Sequence, residues 1–211
     1  MFKNLIFDFD GTIANTAPTT LEYLRMTLDE LGRTYDKTKL NEKLFLIRTV
    51  DGIFKALQVS GDQETAMAKF FELRKSNIIG GIYIYPGVMD FMNEMKKSGK
   101  KLYIATNSLD KMMRFTLGSL NLDIFDGMRT QDHGGRNLNK AEMVADLVTA
   151  HGMNKSETLM IGDTLGDIDA GKRAGVKTAA VGWGYGDNDV LESAADFYVE
   201  TAQELSAMIN Q

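Results

Sequence analysis

The chain has 211 residues, enough for one large domain or two small ones. Its hydrophobic fraction of 44% and charged fraction of 25% are ordinary for a globular protein, and its net charge of −5 disfavours a general nucleic-acid binder. The lack of cysteine excludes disulfides, thiolate metal sites and a cysteine nucleophile, and without a signal-peptide-like start or a membrane-length apolar run a cytoplasmic enzyme is the simplest expectation.

Leu5, Ile6 and Phe7 make a short apolar run of the kind that forms a buried strand, and it delivers Asp8, Asp10, Gly11 and Thr12. Alternate residues of a strand share a side, so Asp8 and Asp10 are expected to converge where the chain turns. Two carboxylates held close need a cation or a proton between them, and Gly11 permits a tight turn with close ligand approach. The plain alternative is a strand ending in solvated acidic turn residues.

Leu21, Leu24, Leu28 and Leu31 recur at helical spacing, predicting a helix over residues 16–31 that stops at Gly32. Helices are also predicted over 39–47, 50–57 and 63–77, with no strand pattern in the block. Residues 15–82 therefore read as a compact helical insert, left and re-entered through 13–16 and 80–86, where Gly80 and Gly81 could serve as hinges.

After Pro86 the pattern alternates between helix and strand. Helices are predicted over 88–98, 110–120, 140–151, 167–174 and 204–209. Strands are predicted over 101–106, 125–129, 158–161, 177–181 and 197–199. Met89, Met92 and Met95 fall on one helix face and read as core packing. Such alternation predicts an α/β fold, a doubly wound parallel sheet with helices on both faces, and ligands bind such sheets beyond the carboxyl ends of the strands.

That rule gathers the polar signals into one crevice: Asp8 and Asp10 after the first strand, Thr106 and Asn107 after the second, and Asp163 in Gly162-Asp163-Thr164-Leu165-Gly166-Asp167. Asp8, Asp10, Asp163 and Asp167 supply only hard oxygen ligands, which suits Mg2+ rather than zinc. Asp167 could instead act only at a helix N-terminus, and Asp169, inside the helix, is not expected to ligate. Thr106 offers a hydroxyl and the helix start after it offers backbone N–H groups to an anion. Lys140 is either a solvated lysine or the counter-charge to a carboxylate and a phosphate.

Together these residues resemble the four ordered motifs of the haloacid dehalogenase superfamily: Asp8-Phe9-Asp10-Gly11-Thr12, Thr106, Lys140, and the 162–167 segment. The resemblance implies a Rossmann-like core over 1–14 and 83–211 and a helical cap domain over 15–82. Gly171-Lys172-Arg173-Ala174-Gly175 and Gly182-Trp183-Gly184-Tyr185-Gly186 resemble phosphoglycolate phosphatase-like members, although 182–186 could equally be a glycine-rich turn. The resemblance further implies Asp8 as the phosphoryl-accepting nucleophile and Asp10 as general acid and base. Thr106, Lys140, Asn107 and Gly11 would hold the phosphoryl group. Mg2+ would be held by Asp8, the Asp10 backbone carbonyl, Asp163 and Asp167.

The implied activity is a Mg2+-dependent phosphatase acting on a small phosphorylated metabolite, with no nucleic-acid or membrane partner. A sugar-phosphate mutase, a nucleotidase, a pyrophosphatase and a phosphonate hydrolase are alternatives on the same fold. The last needs a cap lysine, for which Lys37, Lys39, Lys43 and Lys55 are present. Arg25, Arg48 and Lys55 are candidates for touching substrate, against the plain reading of a solvated helix face. Substrate identity and oligomeric state are not encoded in any motif.

Overall fold

The computed structural model describes residues 1–41, 44, 47, 50–76 and 81–211. These divide into two compact units, one of Met1–Asn15 and Ile84–Gln211, the other of Thr16–Tyr83.

The first unit is built on a six-stranded sheet: β1 (Asn4–Phe7), β4 (Lys101–Thr106), β5 (Gly127–Thr130), β6 (Thr158–Gly162), β7 (Lys177–Val181) and β8 (Phe197–Val199). Their order across the sheet is β5-β4-β1-β6-β7-β8, and every pair is parallel. β1 lies centrally, with Ile6 opposite Tyr103 on one side and Met160 on the other. Central parallel strands are covered on both faces and read as continuous apolar runs, as Leu5-Ile6-Phe7 and Leu159-Met160-Ile161 do.

The two faces are filled by alternate residues of β1. Ile6 joins Met143, Val144 and Leu147 of α6 (Lys140–Ala150) and Ala170 of α7 (Leu165–Ala174) in one core. Phe7 meets Phe91 of α4 (Val88–Lys97) edge-on at 6.1 Å. Fully burying each such large side chain contributes about 1.5–3 kcal/mol. In α4, Met92 and Met95 are buried and Met89 is half-buried. Helix α7 lies close to the sheet because Gly171 carries no side chain: a Cβ there would come 2.5 Å from Thr178 Cγ2 and 2.9 Å from Met160 Cβ. Gly175, at φ +78°, ends that helix in the left-handed conformation. The unit is completed by α5 (Asp110–Ser119), α8 (Asn188–Ala194) and α9 (Ala202–Asn210). The sequence pattern did not anticipate α8. It begins where Asp187 accepts a hydrogen bond from Val190 N, and Leu191 is its buried residue.

The second unit is helical. α1 (Ala17–Glu30), α2 (Val50–Ala56) and α3 (Gln63–Ser76) enclose a core of Tyr23, Leu24, Leu28, Phe54, Leu57 and Phe70. Of the helix predicted over 39–47, residues 42, 43, 45 and 46 lie outside the described residues. At its start, Lys37–Lys39 form a short 3-10 turn capped by Asp36 accepting from Thr38 N, and Leu40 and Asn41 are not helical. Asp36 and Thr38 satisfy the local backbone in a turn, which competes with helix at this point. Lys43 and Arg48 lie outside the described residues, as does Gly80. Two short strands, β2 (Ala14–Asn15) and β3 (Tyr83–Ile84), pair where the chain passes between the units.

Candidate active site

The parallel sheet sets its carboxyl ends side by side, and the polar residues predicted for the crevice are found there. Asp8 follows β1, its N–H still bonded to Ile161 O of β6 at 2.9 Å. Regular strand ends at Phe7. The carbonyl of Phe9 then takes the N–H groups of Ile13 and Ala14, both at 3.0 Å, and folds the chain back on itself. Strand alternation therefore does not carry through to Asp10. Its carboxylate accepts a hydrogen bond from Ser108 Oγ at 3.1 Å, and it is not one of the three carboxylates that can share a cation.

Those three are Asp8, Asp163 and Asp167, all buried, each offering an oxygen within 4.8 Å of the others. Asp163 leaves the end of β6. Asp167 stands in the first turn of α7, where one oxygen takes the N–H and hydroxyl of Thr164 at 3.1 and 2.7 Å. Its other oxygen lies 3.0 Å from Lys140 Nζ. The helix-terminus role and the ion pair with Lys140 thus belong to different oxygens of one side chain. Asp169 is exposed and takes no part.

Lys140 opens α6, placed by a capping box in which Asn139 and Glu142 bond each other's backbone N–H at 3.1 and 2.8 Å. Its ammonium is buried, 2.6 Å from Asp8 Oδ1, and donates to Ala105 O at 3.1 Å. It is therefore not a solvated lysine. Thr106 is fully buried at the end of β4, and its Oγ1 accepts from Ser108 N at 3.1 Å, so its hydroxyl hydrogen remains to donate. Asn107 is half-buried in the turn that follows.

Gly11 sits at φ +90° with no room for a side chain: a Cβ would come 2.2 Å from Asp163 Oδ2. Gly162 is similarly constrained, its Cβ falling 2.2 Å from that of Asp167. The glycines of both acidic motifs thus bring backbone onto carboxylates.

Without a cation this charge set is out of balance. Burial pushes the Asp8 carboxyl well above its ordinary value. Lys140 pulls it back only in part, and Asp167, Asp163 and Asp10 push further. Burial, then Asp167, push Asp163 up to about 7, against the hydrogen bonds from Tyr185 N and Thr12. Burial pulls the Lys140 ammonium down, but Asp167 and Asp8 outweigh it and keep it charged. Three buried carboxylates against one ammonium leave an excess of negative charge, and the donor set, all oxygen, fits a hard divalent cation.

The profile of the family described as haloacid dehalogenase-like hydrolase matches residues 5–181. The chain belongs to that family. Among haloacid dehalogenase-like hydrolases it is similar to the phosphoglycolate phosphatase of Aquifex aeolicus, 28% identical over 187 residues that cover 86% of this chain and 85% of that protein. It is also similar to the pyrophosphatase PpaX of Listeria monocytogenes, 27% identical over 212 residues covering 97% and 95% of the two chains. In fold it matches a haloacid dehalogenase-like family protein from Streptococcus pneumoniae, with a TM-score of 0.83, 21% identity and 98% of each chain covered. Among the described residues no helix is long and apolar enough to cross a membrane.

Sequence reasoning did not single out Ser108 as a partner of Asp10. The only signal was its place two residues after Thr106, and the contact depends on β1 and β4 ending side by side.

Proposed function

We propose that the chain is a Mg2+-dependent phosphatase that hydrolyses a small phosphorylated metabolite through an aspartyl-phosphate at Asp8. The observation that carries this reading is the pairing of Asp8 Oδ1 with Lys140 at 2.6 Å inside a buried group of three carboxylates. Such a pair holds a carboxylate ready beside a site that would accept a cation and a phosphate dianion together. Relatives named as phosphoglycolate phosphatases and as pyrophosphatases support phosphate chemistry and leave its substrate open between them.

In this mechanism Asp8 Oδ1 is held by Phe9 N–H at 2.7 Å and by Lys140, and among the described residues Oδ2 has no donor. Oδ2 attacks phosphorus, the bond from phosphorus to the leaving oxygen breaks, and the Asp10 carboxyl gives that oxygen its proton. Ser108 Oγ donates to Asp10 Oδ2 and helps to fix that carboxyl. Asp10, now a carboxylate, takes a proton from water. The water oxygen bonds to phosphorus, the bond to Asp8 breaks, and phosphate leaves with Asp8 restored. Thr106 and Lys140 hold the phosphoryl oxygens. Asp8, Asp163, Asp167 and the backbone carbonyl of Asp10 would hold Mg2+, which when bound neutralises charge on the transferring group.

The unit Thr16–Tyr83 would serve as the cap that selects the substrate. Within it Arg25 bonds Glu22 and Asp29 on an exposed helix face, which favours a structural role for that residue. Lys39 lies 3.5 Å from Asp36.

The test is phosphate release across a panel that includes phosphoglycolate, pyrophosphate, nucleoside monophosphates and sugar phosphates, with Mg2+ and with EDTA. Release from at least one compound, abolished by EDTA and by Asp8→Asn, is expected. Formation of an isomeric sugar phosphate without phosphate release would replace the phosphatase by a mutase.

A further inference from the structure

The segment 182–186, Gly-Trp-Gly-Tyr-Gly, follows β7 and contributes no group to the mechanism above, yet it lies directly on Asp163. We propose that this loop is the positioning element of the Asp163 carboxylate, with Trp183 a positioning residue that acts through Thr12. The inference rests on the reading of Asp163 as a ligand of a divalent cation.

Asp163 receives one donor on each oxygen: the Thr12 hydroxyl on Oδ1 at 3.0 Å and the Tyr185 N–H on Oδ2 at 2.8 Å. Two donors on two oxygens fix the plane of a carboxylate and leave each oxygen a further lone pair. Thr12 is itself held from behind, because its backbone carbonyl accepts from the Trp183 indole N–H at 2.9 Å. Both donors of Asp163 therefore trace to the same loop, one directly and one through Thr12.

The glycines of the loop explain how it comes so near. A Cβ at Gly184 would fall 2.2 Å from Asp163 Cβ and 2.5 Å from Gly11 O. At Gly186 it would fall 2.1 Å from Asp163 O. The loop is anchored away from the carboxylate as well. Gly182 N bonds Val199 O at 2.9 Å, the Tyr185 hydroxyl bonds Asn15 Oδ1 at 3.3 Å, and the Trp183 ring lies 6.4 Å from that of Tyr85. A glycine-rich turn serving only to reverse the chain needs none of these contacts. Partners that orient a metal ligand typically govern metal affinity by 10–100-fold, without themselves touching the ion.

The experiment is a calorimetric titration of the metal-free full chain with MnCl2 and with MgCl2. Trp183→Phe keeps an aromatic ring beside Tyr85 and deletes the indole donor. We expect it to weaken the Mn2+ dissociation constant by roughly 10-fold, with little change in the metal-free melting temperature and with turnover recovered at saturating metal. A Trp183→Phe protein that binds Mn2+ as tightly as wild type overturns the proposal, whatever its melting temperature. Should that variant not fold, Thr12→Ser and Thr12→Val carry the same comparison. Serine, which keeps the hydroxyl, should bind like wild type and valine more weakly; equal affinity of the two overturns the route through Thr12. Asp163→Ala separates the two levels. If it binds Mn2+ with wild-type affinity, the ligand assignment itself falls, independently of Trp183.

Discussion

Asp163 and Asp126 carry the same side chain at opposite ends of one parallel sheet, and their surroundings push them in opposite directions. Asp163, beyond the carboxyl end of β6, is driven up to about 7 by burial and by Asp167. Burial also raises Asp126, but hydrogen bonds from Lys96, Leu102 N and Lys101 outweigh it and hold the carboxyl below its ordinary value. For Asp163 the folded metal-free protein binds its proton more tightly than the unfolded chain. It thus loses stability as pH rises from the ordinary aspartate range to about 7. A divalent cation bound by Asp163 would replace that proton, so added Mg2+ should raise the melting temperature more at pH 8 than at pH 5 (a thermal-shift series at both values). Asp163→Asn should flatten the metal-free pH slope; an unchanged slope would assign it to other groups. Lys140 offers a second test at this scale. Lys140→Met leaves Asp8 and Asp167 buried without their ammonium, a change of the kind that costs about 3–5 kcal/mol. Denaturant melts should show that loss in the metal-free protein, together with loss of turnover at any metal concentration.

Elements are held in register by similar means. Asp126 precedes β5, and its carboxylate accepts Leu102 N at 2.9 Å, Lys96 Nζ at 2.8 Å and Lys101 Nζ at 3.1 Å. It thereby ties the end of α4 to the start of β4. Asp126→Asn should destabilise by about 1–2 kcal/mol, the scale of a partly buried charged hydrogen bond. Because the carboxyl is depressed in the fold, its contribution is present above the ordinary aspartate pKa and disappears as pH falls through the lower folded value. The variant and wild type should therefore converge in acid and differ at neutral pH. Nothing in the local sequence marks this role, and that is a general division here. Strands β1, β4, β6 and β7 were legible because fully buried parallel strands are uninterrupted apolar runs. The acidic positions at their ends were legible because the topology rule gathers strand ends. The Ser108–Asp10 bond, the grip of Trp183 on Thr12 and the short helix α8 were not, since each depends on which segments become neighbours in space. The turn at Lys37–Lys39 was not legible either, because it rests on the Asp36 and Thr38 side chains satisfying the backbone locally.

At the scale of the whole molecule, the two units carry their own cores, one around Ile6, Met143 and Met160 and the other around Tyr23, Phe54 and Phe70. The acidic cluster, Lys140, Ser108 and the 182–186 loop all belong to the first. A ligand stabilises only those states in which its site is intact. Local openings of the helical unit that leave the sheet folded keep the site intact, and a cation should not oppose them. Hydrogen exchange followed by mass spectrometry, with and without Mg2+, should then show added protection in peptides spanning 4–12, 158–167 and 182–186. Peptides from α1 and α3 that exchange through such local openings should keep their metal-free rates. The contrast depends on the carboxylates and should vanish in Asp163→Ala. Equal gains in protection across both units in the wild type would mean that the helical unit opens only when the sheet does. The separate cores would then form one cooperative structure, and a cap acting as an independent element would have to be abandoned.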